Sequence, residues 1–309
     1  MKSDFYFESS DNKNKIHGVI WKPEGEIKAI LQIAHGMAEY IERYDDFAGF
    51  LNAHGILVAG NDHLGHGYSA PSKKEFGYFT EKDGNGCLIE DLHHVTQKVK
   101  KDNPGVPYFL LGHSMGSFYC RQYICKFGGE LSGAIVMGTA FQPRAAASAG
   151  KAMCKAIALF KGWHYRSPLI NSMAFGSYNK AFQPARTPND WLSRDEKNVD
   201  KYNADDKCGF IFTLNGYYNM FHGLTRLCDD SLIKKVPVGL PILVTSGGND
   251  PVGNFGKGVT AVYEQYKKLG IKDLSIKLYP GARHEIFNEI NKEEVYEDIL
   301  HWLEKHING

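Results

Sequence analysis

Tyr108-Phe109-Leu110-Leu111-Gly112-His113-Ser114-Met115-Gly116-Ser117-Phe118 is the stretch that decides how this chain is read. An apolar run of strand character ends at Gly112, and a helical pattern begins just past Gly116. Between them lies Gly112-His113-Ser114-Met115-Gly116, a G-x-S-x-G pattern in the strand-to-helix context of a nucleophile elbow. A strand turning abruptly into a helix strains the central residue and brings neighbouring chain close to it. Glycine on each side of the serine lacks the Cβ that would block this approach. The turn lifts the Ser114 hydroxyl off the sheet edge, and the following helix aims its first N–H groups at whatever reacts there. The pentapeptide alone recurs by chance as an ordinary strand–helix turn. The strand before it and the helix after it favour a catalytic serine.

The chain has 309 residues, 43% hydrophobic and 23% charged, which is ordinary globular composition. That length permits one large α/β domain with an insertion, or two small domains, and a core of this size needs no disulfide or metal to hold it. A formal net charge of +1 gives no global field to steer nucleic acid or an anionic membrane to it. The start, Met1-Lys2-Ser3-Asp4-Phe5-Tyr6, lacks the apolar stretch of a signal peptide, and no later run has the length of a bilayer span. The six cysteines show neither C-x-x-C nor zinc spacing and read as reduced thiols. The expectation is a soluble, cytoplasmic protein.

Around the elbow the chain alternates. Short β patterns at Phe5–Phe7 and Ile16–Trp21 flank the polar turn Asp11-Asn12-Lys13-Asn14. Ala29-Ile30-Leu31-Gln32-Ile33-Ala34 is a nearly continuous apolar run, as in parallel strands buried on both faces. An amphipathic helix is expected over Tyr44–His54, a strand at Ile56–Ala59, and a helix with Leu88, Leu92, Val95 and Val99 on one face. Gly133–Met137 follows the elbow helix as a further buried strand. From Phe141 the rhythm breaks into helical segments rich in Met, Phe, Tyr and Trp. It returns at Pro241–Ser246, a helix carrying Val259, Val262 and Tyr266, the strand Leu274–Tyr279 and a last helix with Val295, Ile299, Leu303 and Ile307. This predicts a mostly parallel central sheet with helices on both faces. The core comprises residues 1–140 and 239–309, with residues 141–238 as a helical cap insertion.

A serine hydroxyl needs a base within hydrogen-bond reach, itself held by a third group. In the α/β-hydrolase arrangement the chain order is Ser, then Asp or Glu, then His, each in a loop after a strand. Asp250 falls after the strand that ends near Ser246, and His284 is the only histidine in the loop after Tyr279. Bland alternatives are a turn-nucleating Asp250 before Pro251 and a surface histidine at 284. Asp229, Asp230 and Asp273 compete as acids, but none directly follows an expected strand. His301 and His306, on the last helix, are read as solvent-facing. The oxyanion hole needs two backbone donors, each typically worth about 10²–10³ in rate. One is assigned to the N–H of Met115, the residue after the nucleophile, and the other to the Met37 N–H in the loop after the third strand.

Five stretches together carry a family resemblance: His35-Gly36-Met37-Ala38-Glu39, Asp62-His63-Leu64-Gly65-His66-Gly67-Tyr68-Ser69, the elbow, Asn249-Asp250-Pro251-Val252-Gly253 and Ala282-Arg283-His284-Glu285. The chain resembles the monoacylglycerol lipase and lysophospholipase branch of the α/β-hydrolase superfamily, a relative of the serine aminopeptidases. The resemblance implies the same triad, the same two donors and a helical cap over the site. In the insertion only Asp190-Trp191-Leu192-Ser193-Arg194-Asp195 matches, looking like bacterial members.

Asp62, His63 and His66 invite a metal reading, but their glycine-rich loop lacks the spacing of a metal motif, so hydrogen bonding at the site rim is expected instead. Of the adjacent pair His93-His94, at least one should face solvent. Phe210, Leu214, Tyr217, Tyr218 and Phe221 recur at helical spacing. They either pack the cap onto the core or line an acyl slot. Met153–Phe160 could add to that slot or make transient contact with a lipid surface. The sequence thus predicts a serine hydrolase without metal or organic cofactor, acting on a small-molecule acyl ester such as a monoacylglycerol or lysophospholipid. Three rivals stand beside it. An aminopeptidase of proline iminopeptidase type would need a cap acid (Asp190, Asp195, Glu196, Asp205 or Asp206) for the substrate ammonium. A ligand-binding protein on the same fold would show no turnover, and an acyltransferase would use an alcohol in place of water.

Overall fold

Eight runs of the chain pair into one sheet: β1 (Lys2–Glu8), β2 (Lys15–Trp21), β3 (Ala29–Ala34), β4 (Ile56–Asn61), β5 (Tyr108–His113), β6 (Gly133–Met137), β7 (Ile242–Gly247) and β8 (Leu274–Tyr279). The computed structural model describes residues 1–307. The strand order is β1-β2-β4-β3-β5-β6-β7-β8, antiparallel at β1, β2 and β4 and parallel from β4 onward. The helices are α1 (Asp45–Ala53), α2 (Gly84–Asp102), α3 (Met115–Phe127), α4 (Arg144–Lys161) and α5 (Pro168–Phe175). They continue as α6 (Glu196–Ala204), α7 (Leu214–Arg226), α8 (Asp230–Ile233), α9 (Lys257–Lys268) and α10 (Lys292–Ile307).

The apolar runs are explained by the two layers they separate. Along β5, Phe109 and Leu111 pack into the core with Phe47 and Leu51 of α1 and Val295, Ile299 and Leu303 of α10. Leu110 points the other way, into the core with Leu92 of α2, Tyr123 of α3 and Val262 of α9. A strand covered on both faces cannot alternate apolar and polar, which is why β3, β5 and β7 read as continuous hydrophobic runs. Fully burying one such side chain contributes about 1.5–3 kcal/mol. β8 is only half-buried along most of its length, as befits an edge, and its Lys277 pairs outward with Asp298.

Between β6 and β7 the described residues form helices and loops only, with α4 and α7 packed side by side. No helix among the described residues is long and apolar enough to cross a membrane. One sequence expectation needs correction. His306 does not face solvent: its ring packs at a tilt against Trp302 with centroids 4.4 Å apart, and Nε2 lies 3.1 Å from Asp273 Oδ2. Aromatic packing against the neighbouring turn outweighs the polarity of the ring. His301 is exposed, and of the pair on α2 His93 is buried while His94 is exposed.

Candidate active site

The chain leaves β3 toward β4 on one side of the sheet and returns to β5 on the other. In an open parallel sheet this reversal opens a crevice beyond the carboxyl ends of the two strands. The loop after β3 begins at His35, and the turn after β5 carries Ser114. Ser114 has φ 53° and ψ −121°, a strained geometry for a residue with a side chain. The flanking glycines make that turn physically possible. A Cβ at Gly112 would stand 2.4 Å from the Gly116 carbonyl oxygen, and one at Gly116 would stand 2.0 Å from the Ala34 carbonyl oxygen. No larger residue fits either place.

The three side chains singled out in the sequence come together. The Ser114 hydroxyl lies 2.8 Å from His284 Nε2, and His284 Nδ1 lies 3.0 Å from Asp250 Oδ2. The consistent tautomer has Nδ1–H donating to the carboxylate and Nε2 accepting from the serine. Asp250 is fully buried. It also accepts from the Ser246 hydroxyl at 2.8 Å and the Val252 N–H at 2.8 Å. Burial would raise its pKa, but the charge of His284 and these hydrogen bonds together hold it below the usual carboxylate range. Burial pulls the His284 imidazole down; the charge and hydrogen bond of Asp250 outweigh it, so its pKa sits above the ordinary imidazole value. Ser246 was not recognised in the sequence as a partner of Asp250, because a serine at a strand end carries no distinguishing pattern.

On the other side of Ser114, Gly36 N–H donates to Glu39 Oε1 at 2.5 Å and Ala38 N–H to His66 Nε2 at 3.3 Å. The amides flanking Met37 are thereby committed. The N–H groups of Met37 and of Met115, the first residue of α3, have no acceptor among the described residues. Glu39 anchors this loop. Its carboxylate also accepts from the Tyr44 hydroxyl at 3.0 Å and from Arg43 Nη1 at 2.7 Å, and it lies 3.1 Å from His113 Nδ1. Arg43 in turn forks onto Glu285 with two contacts of 2.7 Å. Burial would raise the Glu39 pKa, but the hydrogen bond from His113 and the charge of Arg43 hold it well below the usual carboxylate range. This network links the loop after β3, the elbow and the residue next to His284. Glu39 and Glu285 stand inside two of the motifs with nothing in the sequence to mark their role, since ion pairs across such a separation leave no periodic trace.

His35, His63 and His66 are buried together, and burial pushes the His66 imidazole down to about 3. Most of their ring nitrogens serve backbone groups: His35 Nε2 accepts from His63 N–H at 3.0 Å, and His66 Nδ1 donates to the Leu64 carbonyl at 2.9 Å, while His63 Nδ1 is buried without a partner among the described residues. Asp62 accepts from the N–H groups of Ile41 and Tyr68. Among the described residues no group of three or more His, Cys, Asp or Glu is placed to hold a metal ion.

Two cavities meet at Ser114, Met37 and Phe175. One, of about 330 Å³, is apolar, walled by Phe118, Ala147, Met220, Phe221 and Leu224. The other, of about 450 Å³, is edged by Glu39, Asn171, Asn189, Trp191, Tyr202 and His284. The expected aromatic stripe divides between packing and lining. Tyr217 is fully buried, Phe221 lines the apolar cavity, and Phe210 is not helical at all. Thr213 caps α7 through its hydroxyl and starts the helix after Phe210, which stacks instead on Phe76. None of Asp190, Asp195, Glu196, Asp205 and Asp206 lines either cavity. Asp190 accepts from Thr187, Asp195 caps α6, Asp205 accepts from Tyr40, and Asp206 pairs with Lys73. The exposed Glu196 lies 3.8 Å from Arg186.

A sheet of this order, with a serine on the sharp turn after its fifth strand and a carboxylate and imidazole after its last two, is the arrangement of an α/β-hydrolase. The chain's relatives narrow the class. The family model described as serine aminopeptidase, S33 (Hydrolase_4) matches residues 25–291, and the chain belongs to that family. It is 26% identical over 290 residues to a monoacylglycerol lipase of Mycolicibacterium smegmatis, covering 93% of this chain and 92% of that one. It is 28% identical over 289 residues to the monoglyceride lipase of Mus musculus, covering 91% and 82%. A carboxyl esterase structure from Bacillus coagulans, in complex with glycerol, superimposes with a TM-score of 0.91 at 30% identity over 99% of both chains. A soluble variant of the Saccharomyces cerevisiae monoglyceride lipase shares the fold, with a TM-score of 0.77 at 22% identity over 98% and 94%. The protein is a hydrolase, monoacylglycerol lipase-like in sequence.

Proposed function

We propose that this protein is a serine hydrolase of carboxylic esters bearing a fatty acyl chain, such as a monoacylglycerol or a lysophospholipid. Ser114 attacks the ester carbonyl while His284 Nε2 takes its proton. Asp250 keeps the imidazole in the required tautomer and stabilises its charged form. The Met37 and Met115 N–H groups receive the charge that develops on the carbonyl oxygen. His284 then protonates the leaving alcohol, an acyl-enzyme remains on Ser114, and a water deprotonated by His284 releases the acid. No step calls on a cofactor.

The observation that carries this reading is the hydrogen-bonded series Ser114–His284–Asp250 standing where an apolar cavity meets a more polar one. The apolar cavity suits the acyl chain and the other the alcohol. Residues 141–238 act as a cap that supplies part of the walls of both. Around its rim Leu159, Phe160, Trp163, Leu169 and Met173 are exposed beside Lys155 and Lys161, and Met173 also lines the apolar cavity. Exposed apolar side chains with lysines nearby in the chain suit transient contact with a lipid surface from which such a substrate would come. An aminopeptidase would need a free carboxylate for the substrate ammonium. The two that edge the cavity, Glu39 and Glu285, are both held by Arg43.

Ser114→Ala tests the proposal. The variant is expected to fold, to lose hydrolysis of p-nitrophenyl and glyceryl esters, and to lose covalent labelling by a fluorophosphonate. Labelling that persisted in the variant would place the nucleophile elsewhere, and turnover of amino-acid arylamides with indifference to ester chain length would favour the peptidase.

A further inference from the structure

The stretch Asp190-Trp191-Leu192-Ser193-Arg194 makes and breaks no bond in the chemistry above, though Trp191 and Leu192 line the more polar cavity, and it forms much of the contact between the insertion and the loop of His284. His284 sits in the connection between β8 and α10, outside regular structure apart from a short turn at Ile286–Asn288. A histidine on a loop is only as well placed as the groups that hold the loop. Here both chain neighbours of His284 are tied to the insertion. The Glu285 N–H donates to the Leu192 carbonyl at 2.7 Å. The Arg283 guanidinium donates to the carbonyls of Asp190 at 2.5 Å and Ser193 at 3.1 Å.

A second tie lies beneath the first. Glu289 is buried and accepts from the Arg283 N–H at 2.8 Å and from Arg194 Nε at 2.9 Å. The Ser193 hydroxyl donates to the Asn288 carbonyl at 2.7 Å. The imidazole itself is in contact with two rings. Trp191 of the insertion lies 5.2 Å away, centroid to centroid, and His113 of the elbow 4.9 Å.

We propose that Arg283 and Trp191 are positioning residues for His284, so that the insertion is a strut for the general base as well as a cover for the site. The inference rests on the reading of His284 as that base. The imidazole must present Nε2 to Ser114 and Nδ1 to Asp250 at once, and a misplacement of about 1 Å can cost about 10²-fold in rate. Arg283 fixes the backbone on one side of His284 by bridging two carbonyls through a single nitrogen, Nη1, while its planar guanidinium lies over the Phe182 ring with Cζ 4.2 Å from the centroid, a seat that a compact ammonium does not fill. Trp191 removes the freedom left to the ring.

Four variants test this: Arg283→Met, Arg283→Lys, Trp191→Leu and Trp191→Phe. Rates are measured with a short soluble ester and expressed per active site titrated by a fluorophosphonate, so that loss of folded protein is not read as loss of rate. Arg283→Met and Trp191→Leu are expected to lower kcat about 10–100-fold with KM within about threefold. Arg283→Lys should fall between Arg283→Met and the parent, and Trp191→Phe, which keeps a ring, should recover most of the rate. Both damaging variants should also shift or broaden the downfield proton resonance of the His284–Asp250 hydrogen bond. Unchanged kcat per titrated site together with an unchanged resonance would overturn the proposal, as would a loss confined to KM. If the parent neither hydrolyses esters nor labels at Ser114, the functional reading fails instead, and the resonance still decides whether Arg283 and Trp191 hold the ring.

Discussion

Ser114 and His284 are separated by 170 positions in the chain, and their Oγ and Nε2 atoms meet at 2.8 Å. The sheet makes that meeting possible. Strands β5, β7 and β8 run parallel, so the loops that leave their carboxyl ends emerge at one edge of the molecule. A contact that depends on three loops is precise only if each is anchored, and the anchors supply most of what can be tested.

The pH profile follows from the charge on His284. As a base it must be neutral, so kcat/KM should fall as pH drops through its pKa. That pKa lies above the ordinary imidazole value of about 6.5, because Asp250 more than offsets the effect of burial. The acidic limb measured with a soluble ester should therefore be centred above about pH 6.5. Stability runs the other way. A raised folded-state pKa stabilises the fold below the unfolded value, and this contribution is lost as pH rises through the folded pKa. A limb centred clearly below the ordinary value, with chemistry rate-limiting, would refute the assignment. Asp250→Asn should lower kcat by about 10⁴, the scale seen when a triad carboxylate is neutralised elsewhere.

Glu39 is expected to matter without touching substrate. It receives the Gly36 N–H and so sets the direction of the next amide, that of Met37. Glu39→Ala should misplace that donor and lower kcat by about 10²–10³, the usual effect of losing one oxyanion donor. It should also destabilise by about 3–5 kcal/mol, because Arg43 loses one of its two buried carboxylates. Glu39→Gln keeps an acceptor for Gly36 and should retain much of kcat while losing stability. Affinity for a trifluoromethyl ketone, which forms a bound oxyanion, should fall in step with kcat/KM across the two variants. Unchanged affinity in Glu39→Ala would remove Glu39 from this role. The depressed pKa of Glu39 also means that its stabilising contribution is present above the ordinary carboxylate range and is lost as pH falls toward the folded value.

The sheet and the triad candidates were legible in sequence because each leaves a local mark. A strand buried on both faces is a continuous apolar run, as in Ala29–Ala34, and Ser114, Asp250 and His284 each lie at or in the loop that follows such a run or the edge strand. The anchors left no such mark. Arg43 bonds to Glu285 from 242 positions away, and nothing in the neighbourhood of either names the other. Phe210 fits the helical spacing of the residues after it, but the Thr213 cap overrules periodicity and begins the helix later. His306 reads as exposed because its own helix is amphipathic, while the tilted ring contact with Trp302 and the pairing with Asp273 depend on packing that the sequence does not spell out. Asp190–Arg194 was legible as a motif and silent as to purpose until its carbonyls were seen to meet Arg283.

Acyl-chain preference should respond to Ala147. This buried residue of α4 forms part of the wall of the apolar cavity of about 330 Å³. Ala147→Leu adds volume where a long chain would lie. The kcat/KM for long-chain p-nitrophenyl esters should fall about tenfold or more relative to the acetyl ester, whose rate should hold within about threefold. An equal loss across the panel would mean that the chain does not occupy this cavity, and the assignment of the two cavities to acyl and alcohol groups would have to be reversed or abandoned.

The rim of the cap gives a prediction that depends on how substrate is presented. Leu159 and Phe160 at the end of α4 are 76% and 87% exposed, more than packing of the fold alone requires of such side chains. If they enter a lipid surface, replacing each with glutamate opposes entry twice, by removing apolar area and by adding negative charge beside Lys155 and Lys161. Fully burying one such side chain is worth about 1.5–3 kcal/mol. Leu159→Glu with Phe160→Glu should therefore lower binding to anionic vesicles, and hydrolysis of a monoacylglycerol held in them, by at least about tenfold. Hydrolysis of a water-soluble short-chain ester should stay within about twofold, since neither side chain lines a cavity at Ser114. Equal losses on both substrates would point to a damaged cap, and no loss on either would show that the exposed pair has no part in reaching the substrate.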